Sequence, residues 1–151
     1  MPTDLLDPAP LLRRECVEFP VHHVRGGTST GLVISERWAP PERELREELL
    51  RHLMGLPLDG TRVGNRQITG LGRIVPTGNK VFFARLEVNG NTPRIVSTFA
   101  QLAADKAAID WSVNCGNMTA ALPLWALDTG QLAAPQAGGW SRSTFSTPTP
   151  V

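Results

Sequence analysis

Short apolar runs punctuated by glycine and proline recur along this chain, and their period changes from one run to the next. Cys16 to Val24 mixes polar residues with valines and an aromatic, and Gly31-Leu32-Val33-Ile34 resumes an extended character. The pattern predicts two strands joined by the turn Arg25-Gly26-Gly27-Thr28-Ser29-Thr30. Beyond Pro41 the spacing becomes helical: Leu45, Leu49, Leu50 and Leu53 share one face, acidic residues crowd the start, and Gly55 follows the end. Lys80 to Val88 alternates incompletely around Val81, Phe82, Phe83, Leu86 and Val88. Asn89-Gly90-Asn91 then offers a hairpin turn before Pro93 to Phe99, which predicts two paired antiparallel strands. Gly116 to Leu127 is small and apolar on nearly every side, as expected of a helix buried in the centre of a domain, with Pro123 at a bend or in the first turns.

The stretches between these elements differ in kind. Glycines stand at 55, 60, 64, 70, 72 and 78, a density suited to tight turns and close backbone approach, as in a binding loop. Residues 1–15 have no sustained period and read as a flexible leader; residues 133–151 are rich in Ala, Gly, Ser, Thr and Pro and read as a weakly structured tail. One domain over residues 16–132 remains.

Composition narrows the class. A length of 151 residues with 41% apolar content supplies one modest core. Fifteen Lys and Arg against fourteen Asp and Glu leave a net charge of +1, so no general field draws the protein to nucleic acid or to an anionic membrane. Any anion must be bound locally. Cys16 and Cys115 lie far apart without metal-type spacing, and nothing resembles a secretory segment, which reads as a cytoplasmic protein with free thiols. No apolar run approaches the ~20 residues that span a bilayer.

The candidate chemistry centres on Asn114-Cys115-Gly116-Asn117. If Cys115 stands at the start of the buried helix, unpaired N–H groups and the helix dipole lower its thiol pKa and can receive a carboxylate. An arbitrary cysteine is more often a small buried hydrophobe. Apolar packing explains neither flanking asparagine, although Asn114 could serve only as a helix cap. Lys80 ends the glycine-rich loop and begins an apolar strand, so its ammonium could enter a cleft whose walls depress its pKa; the plainer reading is a solvated strand-edge lysine. Moving a double bond requires one group to remove a carbon-bound proton and another to return one elsewhere, while N–H donors hold the developing enolate. A thiol and an amine suit those roles.

Other signals carry less. Gly72 to Lys80 lacks the spacing of a phosphate loop, and Asp128-Thr129-Gly130 falls where the apolar helix should stop. The adjacent His22 and His23 point to opposite faces of a strand and cannot chelate together, and the scattered Trp38, Trp111, Trp125 and Trp140 accompany no basic stripe.

Three ordered segments resemble the PrpF family: Arg25-Gly26-Gly27-Thr28-Ser29-Thr30-Gly31, the run from Gln67-Ile68-Thr69-Gly70-Leu71-Gly72 to Asn79-Lys80, and Ile109 to Ala121 around Asn114-Cys115-Gly116-Asn117. The resemblance covers about residues 17 to 132. That family includes methylaconitate isomerases and 4-oxalomesaconate tautomerases, shares the fold of diaminopimelate epimerase and needs no cofactor. The resemblance implies an α+β fold, a diaminopimelate epimerase-like half-domain with antiparallel strands wrapped around a buried central helix. It implies that Lys80 and Cys115 fill the acid/base positions. It places Arg25, Gly26, Gly27, Thr28, Ser29, Asn79, Asn114, Gly116 and Asn117 around the carboxylates of a small substrate, with no metal; Arg73, a departure from the family, is expected to add a guanidinium that pairs with a carboxylate.

Two departures qualify this expectation. Thr30 stands where the family usually has lysine, and Arg73-Ile74-Val75-Pro76-Thr77-Gly78-Asn79 replaces a serine-rich approach to the catalytic lysine, exchanging hydroxyl donors for a guanidinium. Family members also have two similar halves with the site in the cleft between them, and this chain resembles only the first. The expected outcomes are a homodimer, a complex with a chain supplying the second half, or a decayed remnant. The expected activity is a cofactor-independent proton shift in an unsaturated carboxylic acid. The alternatives are an isomerase or cyclase of a specialised pathway acting on a larger substrate, and a non-catalytic binding or partner subunit.

Overall fold

The computed structural model of the protein describes residues 7–90, 92–133 and the strand at 144–146. Expectations for the rest of the leader and tail, for Asn91 and for Trp140 lie outside the described residues. In chain order the elements are β1 (Leu11–Leu12), β2 (Val17–Glu18), β3 (His22–Gly26), β4 (Ser29–Ser35), α1 (Arg43–Met54), β5 (Lys80–Asn89), β6 (Thr92–Leu102), β7 (Ile109–Asp110), α2 (Gly116–Thr119), α3 (Leu122–Asp128) and β8 (Thr144–Ser146). The architecture is mixed α+β. β1 and β2 form a small separate ladder; the main sheet runs β3-β4-β5-β6-β7, and β8 pairs with β6.

Helices cover both faces of this sheet, which explains why its central strands read as unbroken apolar runs. Leu32, Val33 and Ile34 on β4 and Val81, Phe82, Phe83 and Ala84 on β5 are all fully buried. Alternation sends Leu32, Ile34, Val81 and Phe83 toward α1, where they meet Leu50 and Met54. Val33, Phe82 and Phe99 face the other way, against Met118, Leu122 and Trp125 of α2 and α3. Each such side chain, fully buried, contributes roughly 1.5–3 kcal/mol.

The predicted hairpins form: β3 pairs β4 antiparallel around Gly27-Thr28, and β5 pairs β6 with Asn89 opposite Thr92. The expectation of a wholly antiparallel set is corrected at the centre, where β4 and β5 run parallel. The chain returns between them through α1 and the glycine-rich loop, the kind of long crossover that parallel pairing requires.

The predicted helix after Pro41 forms as α1, and Gly55 ends it in the left-handed conformation (φ 68°). Its contact face differs from the expectation, because Leu45 is 47% exposed while Met54 is fully buried. Its charged residues also do more than face water. Glu47 pairs with Arg43 and Arg51 and accepts from Trp111 Nε1 at 2.9 Å, while Arg51 Nε donates to the Ala107 carbonyl.

The single helix expected over 116–127 is broken into α2 and α3. Pro123 has no N–H to continue the ladder and lies in the first turn of α3. This pair packs on one sheet face, and Leu124 on its far side is 57% exposed. Asp128-Thr129-Gly130 is the helix end, with Thr129 as C-cap and Gly130 at φ 68°. Within the segment read as a leader, Asp7 is buried, 2.9 Å from Arg37 Nε, and accepts from Trp38 Nε1 at 3.2 Å. No helix among the described residues is long and apolar enough to cross a membrane.

Candidate active site

Glycines press three sequence-distant segments together at one end of the sheet. A Cβ on Gly26 would lie 2.0 Å from the Asn117 carbonyl oxygen, so only glycine lets the β3–β4 turn close onto α2. Gly27 (φ 54°) abuts the Asn117 side chain, whose Nδ2 donates to Thr28 Oγ1 at 3.0 Å. On β4, a Cβ on Gly31 would meet the Lys80 carbonyl oxygen at 2.2 Å, so this glycine sets the closeness of β4 to β5.

The glycine-rich loop is organised by a buried side chain that the sequence reading did not single out. Gln67 holds an uncommon left-handed backbone (φ 53°); its Nε2 donates to Met54 O and Asn79 Oδ1, and its Oε1 accepts from the Ile74 N–H at 2.6 Å. Gly72 must be glycine because a Cβ there would strike the Gln67 amide. Asn79 is fully buried, with its Nδ2 donating to the Val75 carbonyl, so both ends of its amide are engaged inside the loop. Asn79 thus shapes the approach to Lys80, with its side chain turned into the loop.

Lys80 opens β5 and is 9% exposed, on the same sheet face as Phe82 and Phe99. Its Nζ donates to Gln101 Oε1 at 2.7 Å and lies 5.5 Å from the centre of the Phe99 ring. Cys115 is the N-cap of α2, with its Sγ 3.9 Å from Ser29 Oγ. Burial pushes the thiol pKa up, but the Met118 backbone N–H, the Lys80 charge and the Ser29 hydroxyl outweigh it, and the result lies below the ordinary value. The expected N–H groups at the helix start act here through Met118, the largest of the lowering influences, and the Lys80 ammonium adds to it, while α2 itself is only four residues long. A lowered thiol beside an ammonium is a pair able to take up and return protons.

The remaining expected residues divide. Asn114 is exposed, and its Oδ1 accepts from the Cys115 N–H at 2.8 Å. Gly116 and Asn117 are exposed beside the thiol. Arg25 is exposed and donates to the Gly27 carbonyl; it pairs with Thr30, one residue out of phase with Ser29, which sends it toward the opposite sheet face. Arg73 is exposed, with its stem across Gly78. Gln101 was missed, although its position opposite Lys80 follows from the hairpin register. A cleft of about 760 Å³ lies beyond Gln101, walled by Ile74, Pro76 and Ile109, and neither Lys80 nor Cys115 lines it. Among the described residues, no group of three or more His, Cys, Asp or Glu side chains gathers where an ion could be held.

Comparison with known proteins gives concordant matches. The family described as PrpF protein matches residues 16–138. The chain is 33% identical over 111 residues to a 4-oxalomesaconate tautomerase of Pseudomonas putida, covering 74% of this chain and 29% of the tautomerase. It is 30% identical over 116 residues to a 2-methyl-aconitate isomerase of Shewanella oneidensis, covering 74% and 28%. Its fold superposes on the crystal structure of a methylitaconate-delta-isomerase with a TM-score of 0.73 and 26% identity, covering 85% of this chain and 31% of that one. The chain thus spans about three-tenths of the length of the proteins it matches.

Proposed function

The chain belongs to the PrpF family, and on that premise we propose that it serves in a proton-shifting isomerase or tautomerase whose substrate is a small unsaturated carboxylic acid. The observation that carries this reading is the meeting of Lys80 and Cys115, from opposite ends of the described domain, with the thiol drawn down beside the ammonium. In the first step one of the pair takes a proton from the carbon next to the double bond, and the electron pair spreads into the conjugated carboxylate. In the second step the other returns a proton at the far carbon, so the double bond moves and nothing is gained or lost. The exposed residues Asn114, Gly116 and Asn117 beside the thiol carry N–H donors that a substrate carboxylate could accept from. Thiol, amine and N–H donors supply every group such a shift needs, so the reading includes no cofactor. It also includes a cytoplasmic location, consistent with the free thiols of Cys16 and Cys115.

The same reading holds that the open side of the site is closed by protein from outside these residues, as a second copy or a partner chain. The exposure of Leu124 and of Val113, 42% exposed just before the site, supports this. The wrapping of strands around α2 and α3, seen from one side only among the described residues, would be completed by the same contact. Incubation with aconitate-like acids in deuterated water tests the chemistry. Solvent deuterium should enter the substrate, and Lys80→Met and Cys115→Ala should each slow entry about a hundredfold or more. No incorporation across a broad panel of unsaturated di- and tricarboxylates would overturn the proposal.

A further inference from the structure

Gln101 sits on β6 directly across from Lys80, and the two ends of its carboxamide are sorted by their neighbours. Its Nε2 faces three backbone carbonyls, Pro76 O at 3.1 Å, Asn79 O at 3.0 Å and Leu102 O at 3.2 Å. Carbonyl oxygens only accept, so the amide must present its NH2 to them, two hydrogens being shared among three acceptors. Turning the amide over would set its oxygen against those three carbonyls and its NH2 against an ammonium. One orientation is therefore fixed, and it aims Oε1 at Lys80 Nζ, 2.7 Å away. The Phe99 ring stands 5.5 Å from the same nitrogen. A carbonyl-type oxygen and an aromatic face both favour a cation.

We propose that Gln101 is a positioning residue whose locked carboxamide holds Lys80 as an ammonium at one fixed place beside Cys115. This rests on the reading of Lys80 and Cys115 as an acid/base pair and adds what fixes the place of the Lys80 nitrogen within it. The surroundings of the pair are Ser29 from β4, Phe99 and Gln101 from β6, and the Met118 N–H from α2. Lys80 and Cys115 are the titratable groups among these. The lowered thiol agrees with this arrangement, since after the Met118 N–H the Lys80 charge is the next influence drawing it down.

The test needs no substrate. In a Cys16→Ser background, the rate of Cys115 alkylation by iodoacetamide is followed against pH by peptide mass. The background protein should inflect below the ~8.5 of an ordinary thiol. Lys80→Met should move the inflection up, and Gln101→Met should move it in the same direction, slowing alkylation at pH 7 by about three- to tenfold. If Lys80→Met leaves the inflection in place, the pairing itself fails. If Lys80→Met moves it and a cooperatively melting Gln101→Met does not, the role of Gln101 fails while the pairing stands. Nitrogen-15 labelling of lysine in the unsubstituted chain gives a second measurement that depends on no folded Gln101 variant. One slowly exchanging NH3+ signal at pH 7, absent from Lys80→Met, supports the proposal, and a neutral-amine signal or a rapidly exchanging one overturns it.

Discussion

Gly116 differs in kind from the other described glycines. Gly27, Gly55, Gly60, Gly64, Gly90 and Gly130 have positive φ, and Gly26, Gly31, Gly70, Gly72 and Gly78 have neighbours that a Cβ would strike. Gly116 has neither: its φ is not in the left-handed range, and a Cβ there would meet nothing within 4 Å. Its missing side chain is of use only to something that comes to lie in that space. Gly116→Ala should therefore melt at or above the temperature of the unsubstituted chain, since alanine is favoured over glycine in a helix by about 0.5–1 kcal/mol, while slowing deuterium exchange into substrate. Gly26→Ala should do the reverse to stability, losing about 1–3 kcal/mol as the turn is forced off α2; thermal unfolding of the two variants side by side separates the cases. At this scale the two residues proposed as the acid/base pair were legible as candidates, because Lys80 and Cys115 stand out against their neighbours. Gln101 was not, because its role lies in register. With Asn89 opposite Thr92, counting along both strands brings Lys80 to Gln101, a step that requires the hairpin loop to be fixed at two residues.

Elements followed the hydrophobic pattern where one face is buried and departed from it where hydrogen bonds decide. β4, β5 and α1 were readable from apolar runs and helical spacing. The break between α2 and α3 was readable only as a choice of places for Pro123. The glycine-rich loop was recognisable as a region of close approach, but not the left-handed Gln67 at its centre, whose conformation is upheld by tertiary hydrogen bonds that no local signal reports. Gln67→Leu would leave the Met54 carbonyl, the Asn79 Oδ1 and the Ile74 N–H without their partner. It should lower stability by about 3 kcal/mol in urea unfolding. It should also loosen the link to Lys80, so that iodoacetamide reaches Cys115 with a higher inflection. A loss within a few tenths of a kcal/mol would mean the loop is held by its glycines alone.

Among the described residues of the whole molecule, the candidate site lies on an open surface, with Cys115, Gly116 and Asn117 at one end of the sheet and the exposed Leu124 nearby in sequence. The proposed closure by a second copy or a partner chain makes stability depend on concentration, because a partner that binds only the folded form raises the melting temperature. Sedimentation at micromolar concentration should give a mass above 16.4 kDa, and thermal scans should give a melting point that rises with protein concentration or on adding the partner chain. A stable monomer whose melting point is the same at every concentration, with or without other proteins, would remove this part of the reading. The two-sided packing of the sheet was legible in β4 and β5; the parallel step between them was not, because direction is set by the path of the chain between strands.

That parallel step also fixes when the site comes into being. β4 cannot meet β5 until the chain from Ser35 to Lys80 has closed on itself, an ordering cost that short hairpins do not carry. Folds dominated by such distant pairings are slow, on the order of milliseconds to seconds. The β3–β4 and β5–β6 hairpins can form early and locally, whereas Ser29, Lys80 and Cys115 meet only after the closure. The meeting of these three residues is thus expected late in folding, and until then the Cys115 thiol stands without the Lys80 ammonium beside it.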